Sequence, residues 1–412
     1  MTPDGMLASA SRPAVAREDL RALVGELAAI PRPSASEGER AAAEWVAARM
    51  RDLGANARVE IERAHGGYWT PLGLLSAIGA AGALAGRRHR LLGAAVAGAA
   101  AAGIWDDVGA GTHRHRNFLP SRPTYNVVGE VGPPDAERVV VLVAHHDAAR
   151  SGLIFHPGIP AFVWRRFPRL IEANDTSPAL MAPVFGGPAL AAIGALTGNA
   201  LLRRAGGIVS AGAAATFAEI ASRDVVPGAN DNATGVVAML AVAHAIAEDP
   251  LHNVRVMLVS TGSEESFMEG MRGFMRRHEE VLPRDRTFVL AVDTLGSPHL
   301  TAIRGEGMLK MRDYPRPALD LVDSVAEELD VWLFPNLRLR NATDGLIALK
   351  AGYTCACLGS VTDYKAPSNY HWPSDTADNV DYDTFADAVR LCERLVRRLD
   401  ERWLAPARAP RP

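Results

Sequence analysis

Apolar residues follow three rhythms along this chain. In 17–30 and 37–53 they recur every three to four positions, the spacing that lines one face of a helix. Ser36 and Glu39 stand at capping-box spacing and predict where the second helix starts. Short β-branched runs follow at 58–61, 125–131, 138–144, 254–260, 287–293 and 353–358. Helical stretches at 234–247, 270–280, 318–329 and 382–401 lie between and after them. This alternation predicts an α/β fold, with a mixed, largely parallel central sheet flanked by helices.

The third rhythm is an unbroken apolar one. Residues 66–86 and 91–105 carry no charge, and Arg87, Arg88, His89 and Arg90 separate them. Residues 176–202 and 205–218 repeat the plan around Arg203 and Arg204. Each pair reads as a helical hairpin with a basic tip, so 66–105 and 176–218 are two insertions in one catalytic domain spanning 1–412. The longer arms reach the roughly 20 residues that cross a bilayer. "GALAG" at 82–86 and "GALTG" at 194–198 have the small-xxx-small spacing of closely packed membrane helices. Trp69, Trp105, Trp164 and Phe217 stand near the bases like an interfacial belt. Two readings stay open: membrane association through the hairpins, or a soluble cytoplasmic protein whose hairpins form a cap or dimer interface. The basic tips favour the cytoplasm, yet the N-terminus shows no secretory signal. The side of the membrane is therefore left undecided.

Composition narrows the classes further. With 48% hydrophobic and 22% charged residues, the chain builds cores. A net charge of −3 without a long basic run argues against a nucleic-acid partner. Cys355, Cys357 and Cys392 are too few and too clustered for a disulfide framework, and Cys355 and Cys357 read as core-strand residues.

In an open α/β sheet, ligands bind beyond the carboxyl ends of the strands. Polar residues collect there: His145 and Asp147 in "HHD", Glu264 and Glu265 in "SEES", and Asp293 in "VDTLG". "GANDNATG" places Asp231 just before a helix, and "HWPSDT" supplies His371 and Asp375. Imidazoles with carboxylates and no thiolate suit catalytic zinc or a similar divalent ion.

In order and content these five motifs resemble the co-catalytic dizinc exopeptidases typified by bacterial leucyl aminopeptidase, aminopeptidase Y and glutamate carboxypeptidase. "NATDGLIALKAGY" also resembles a family segment, with Thr343-Asp344 in place of Ser-Asp. The resemblance runs from about Tyr125 to Val380 apart from the second hairpin, and the helices before Tyr125 fit it loosely. It implies a zinc-exopeptidase sandwich, two zinc ions, and a peptide or aminoacyl substrate. His145 and Asp293 would hold one ion, Glu265 and His371 the other, and Asp231 would bridge them. Glu264 would be the general base, Asp147 the acceptor for the other ring nitrogen of His145, and Tyr370 a donor to the developing oxyanion. Asp375 would bond near His371. His146 occupies a variable position and could line the cleft. Asn230 stands where many relatives carry an acid, which removes no ligand. The expected activity is an aminopeptidase. A carboxypeptidase, a glutaminyl-cyclase-like acyltransferase, and a non-catalytic membrane-anchored receptor-like module remain as alternatives.

Overall fold

A computed structural model describes residues 16–404. The expectation of a missing secretory signal rests mainly on residues 1–15, outside the described residues. Seven strands form the main sheet: β1 (Arg58–Ala64), β2 (Arg122–Val131), β3 (Arg138–His145), β4 (Val254–Thr261), β5 (Thr287–Val292), β6 (His299–Ala302) and β7 (Thr354–Val361). Their order is β1-β2-β4-β3-β5-β7-β6, and the central four are parallel to their central neighbours. β1, β2 and β6 join antiparallel at the edges. β6 went unpredicted because "HLTA" is too short to show a period.

Both faces of the sheet are covered. Val140, Leu142 and Ala144 of β3 pack into one core with helices α1 (Arg17–Ala28), α2 (Glu37–Asp52), α9 (Thr234–Glu248), α11 (Arg316–Glu328) and α13 (Tyr382–Glu401). Val139, Val141 and Val143 point the other way, toward α10 (Glu269–His278) and α12 (Asp344–Lys350). A strand covered on both sides reads as a continuous apolar run, which is why β3 is legible without alternation. His145 is the last residue of β3, and Asp293 directly follows β5. The sheet therefore delivers both to its carboxyl edge.

Two local expectations are corrected. The capping box at α2 is half built: Ser36 accepts from the Glu39 N–H at 3.1 Å. The Glu39 carboxylate instead accepts from Ala35 N–H and reaches toward β2 and the loop after β4. The second hairpin turns at Gly198-Asn199, not at Arg203-Arg204. Gly198 adopts φ +77, and Asn199 caps the next helix by accepting from the N–H groups of Leu201 and Leu202. Arg203 and Arg204 thus lie in that helix's first turns.

The hairpins consist of α3 (Trp69–Ala85) with α4 (Arg90–Ile104), and of α7 (Met181–Thr197) with α8 (Ala200–Ser222). The four helices pack into one bundle. Its interior is lined by small residues: Ala83, Ala97, Ala191 and Ala195 are buried, with Ser76 and Ser210. Backbones meet at glycines. A Cβ on Gly93 would lie 2.3 Å from Gly86 Cα, so no larger residue fits there. Both tips lie at the same end, where Arg90 donates to the Leu196 carbonyl at 3.0 Å and Arg203 to that of Ala83 at 2.9 Å. These arginines satisfy carbonyls left open at the ends of α7 and α3.

Candidate metal centre

Three chain segments must be held still for the strand-end residues to meet. Arg32 is fully buried, and its guanidinium donates to the carbonyls of His146, Pro227 and Gly228 at 2.6 Å. Burial lowers its pKa to about 10, so it stays charged at neutral pH. It thereby clamps the residue after His145 to the loop that carries Asp231. Glu39 fixes the third segment. It accepts from Thr124 Oγ1 at 2.6 Å, Tyr125 N–H at 2.9 Å, and the Ser263 N–H at 3.1 Å. From the opposite side Arg116, also fully buried, donates to the Ser266 carbonyl at 2.9 Å while gripping Asp107 with two bonds of 2.8 Å. The Glu264-Glu265 turn is thus pinned on both flanks.

Within this frame the five proposed ligands converge. Asp231 lies between two histidines: its Oδ1 is 3.2 Å from His145 Nε2, and its Oδ2 is 3.3 Å from His371 Nε2. Asp293 Oδ2 stands 3.9 Å from the same nitrogen of His145, and Glu265 Oε1 stands 3.2 Å from that of His371. His145, Asp231 and Asp293 form one trio and Asp231, Glu265 and His371 a second, with ligand atoms within 4.8 Å of one another in each. Glu264 makes a third such group with His145 and Glu265.

Asp147 faces away from the trios and organises them. Its carboxylate accepts from Ser34 Oγ at 2.6 Å and from the N–H groups of Glu264 and Glu265 at 3.0 and 3.1 Å. It also lies 3.4 Å from His145 Nδ1, which leaves Nε2 for the cluster. Tyr370 stacks on His371 with ring centroids 3.8 Å apart, and its hydroxyl faces Asn341 Nδ2 at 3.5 Å on the cavity wall. Asp344 is buried beside the cluster and bonded to Thr261, and Thr343 caps α12.

Asp375 and His146 do other work than expected. Asp375 accepts from the N–H groups of Asn230 and Asp231 at 2.8 and 3.0 Å, so it sets the backbone of Asp231 and not the ring of His371. His146 is fully buried, with Nδ1 2.9 Å from Ser260 Oγ. Burial lowers its pKa to about 3, so it stays neutral and does not line the cavity. Arg32, Glu39, Arg116 and Tyr68 were missed from sequence. Tyr68, just ahead of α3, packs flat on Phe267 at 5.0 Å and lines a pocket shared with Glu264 and Glu265.

The electrostatics of the cluster describe a cation site. Burial, then repulsion from Asp231, Glu265 and Asp344, lifts Asp293 to about 8 against the pull of His145. Burial and the neighbouring carboxylates push Glu264 well above the usual range as well. Four acids this close need positive charge, and two imidazoles supply only part of it. His145 Nε2 is buried and makes no hydrogen bond, although two carboxylates surround it. A nitrogen aimed at oxygens without bonding to them fits a metal ligand. The residues fit two zinc ions sharing Asp231.

Residues 216–396 match the family model for peptidase family M28, in line with the co-catalytic zinc exopeptidases that the motifs resemble. No curated protein matches the chain. Among solved structures, a Zn-dependent exopeptidase from Parabacteroides distasonis shares the fold, with TM-score 0.56, 13% identity, and coverage of 94% of this chain and 99% of that one. An aminopeptidase from Aneurinibacillus sp. strain AM-1 superposes with TM-score 0.57 at 13% identity, covering 94% of each chain. A glutaminyl cyclase from Bacteroides thetaiotaomicron gives TM-score 0.54 at 12% identity, covering 92% of this chain and 97% of that one. The partial family match and the shared fold agree with the zinc-exopeptidase sandwich expected from the motifs.

Proposed function

We propose that the chain is a dizinc exopeptidase acting as an aminopeptidase, with Glu264 as general base. The observation that carries this is Asp231, set between two His-carboxylate pairs as a shared ligand. When bound, the two ions would supply Lewis acidity, polarising the scissile carbonyl and acidifying a water. Glu264 takes the proton of the attacking water and returns it to the leaving amine. Asp147 holds both the imidazole of His145 and the backbone of Glu264 in place for that transfer. Tyr370 is positioned to donate to the developing oxyanion. Lys365 is the one lysine or arginine among the described lining residues of the cavity, and its ammonium is engaged by the carbonyls of Ile171 and Asn174. Among the described lining residues no arginine meets a terminal carboxylate, and the reading is therefore amino-terminal action.

The test is elemental analysis with hydrolysis of leucyl-4-nitroanilide. About two zincs per chain and turnover are expected. One zinc without peptidase activity would replace this reading by the cyclase-like one, and no metal after zinc add-back would overturn it.

The bundle extends the proposal to a membrane. Arg90–Gly109 and Ala200–Ser222 are long and apolar enough to cross one, and only 39% and 22% of their apolar windows are buried. A soluble core helix would be mostly buried. Outward-facing residues are large and apolar: Leu84 is 66% exposed, Leu91 76%, Ile193 50% and Ile208 73%. Small residues inside and large apolar residues outside is the arrangement of helices packed in lipid. α3 and α7, at 17 residues each, reach about 25 Å, slightly under a ~30 Å hydrocarbon core. The purified chain is expected to float with phosphatidylcholine vesicles and to resist carbonate extraction. A chain that stays in the soluble fraction as a discrete oligomer would favour self-association instead.

A further inference from the structure

Beside the metal cluster lies a cavity of about 490 Å³. One side is the cluster itself. The remaining walls are mostly apolar, with Ile303, Leu339, Val361, and Ile159 and Val163 of α5 (Gly158–Arg166), beside the polar Asn341 and Lys365. Asp231, Glu264, Glu265 and Asp293 are the acids among the described lining residues, and all belong to the cluster. A methylene takes about the volume of a water, ~30 Å³, so the space holds on the order of a dozen carbons. That is far more than a leucine side chain needs.

The cover of this cavity is itself apolar on the outside. α5 has no buried residue, because one face lines the cavity and the other faces out. Leu153, Ile154, Phe162 and Phe167 are 46–58% exposed, and Arg165, Arg166 and Arg169 are exposed among them. Exposed large apolar residues interleaved with arginine make an element that lies in a lipid headgroup layer. The segment runs from the catalytic end of β3 into α7, so it sits where the bundle would enter the bilayer.

We propose that this cavity binds a long apolar chain, and that the enzyme hydrolyses amides whose acyl group carries one, drawn from the membrane beneath the 153–180 segment. This rests on the hydrolase and membrane readings above. Water adds to the acyl carbon, the C–N bond breaks, and the water's proton passes to nitrogen. The products are a long-chain carboxylic acid and an amine. No oxidant or co-substrate is needed.

The test measures kcat/KM of the full-length protein in detergent micelles for acetyl-, octanoyl- and dodecanoyl-4-nitroanilide, beside leucyl-4-nitroanilide. The expected result is a rise of at least tenfold from acetyl to dodecanoyl. Val163→Trp, which places bulk in the cavity from a surface helix, is expected to cut the dodecanoyl-to-acetyl ratio at least tenfold. Dodecanoate, as a product, is expected to inhibit leucyl-anilide hydrolysis in the wild type, a readout that does not depend on the variant folding. Leucyl turnover with a flat or falling chain-length series would overturn the proposal and leave the peptidase reading intact. No turnover of any substrate by zinc-loaded protein would overturn both.

Discussion

Glu264→Gln is expected to lower kcat on aminoacyl anilides by about 10²–10⁴, the usual contribution of general acid–base catalysis, while leaving zinc content near that of the wild type. Gln keeps the shape and the backbone N–H that donates to Asp147, so the turn after β4 should survive. What it loses is the ability to accept a proton. Glu264 sits in the same tight group as His145 and Glu265 without belonging to either bridged trio. Its position suits proton transfer more than coordination. KM should change little, because the substitution removes a group acting in the transition state. Retained activity, or loss of zinc alongside activity, would reassign Glu264 as a ligand or a bystander.

Asp231→Asn is expected to abolish activity and to lower bound zinc from two per chain to at most one. The two histidines hold the Asp231 carboxylate well below the usual range, despite the burial that opposes ionisation. Asn offers one oxygen and no charge, so it cannot serve both trios. Zinc uptake by the wild type should also release protons. Before zinc binds, Asp293 stands at about 8, and His371 is raised to about 10 by Glu265 and Asp231 against the effect of burial. Both therefore carry a proton at neutral pH and must shed it to coordinate. Zinc affinity should rise with pH through this range, and calorimetry in buffers of different ionisation enthalpy would count the protons. Two zincs retained by Asp231→Asn would refute the bridging role, and a pH-independent affinity would refute the proton release.

Three of the proposed ligands, His145, Glu265 and Asp293, were legible because they close or follow apolar runs, and apolar runs mark strands. His145 and Asp293 stand at such ends, and the sheet order brings them together although 148 positions separate them. The supporting residues were hidden for the opposite reason. Arg32 lies in "PRPSAS" and acts on carbonyls 114 to 196 positions away, which carry no side-chain signal. Glu39 was read as a local cap because Ser36 stands at the right spacing, yet Ser263, 224 positions on, claims its carboxylate. Phe217 was placed in an interfacial belt but is buried against Tyr68 at 6.1 Å, since α8 continues to Ser222 and turns this part toward the sheet. Local spacing shows which residue types occur together. It does not show which distant backbone they serve.

The second hairpin stands between His145 and the other four ligands along the chain. A ribosome therefore completes both hairpins before it makes Asp231, Glu265, Asp293 or His371. The Asp231 loop begins a few residues after α8, whose last turn packs at the base of the bundle, where Ile220 is buried. The order of synthesis thus separates the two halves of the molecule: four of the five proposed ligands emerge only after both hairpins have been made.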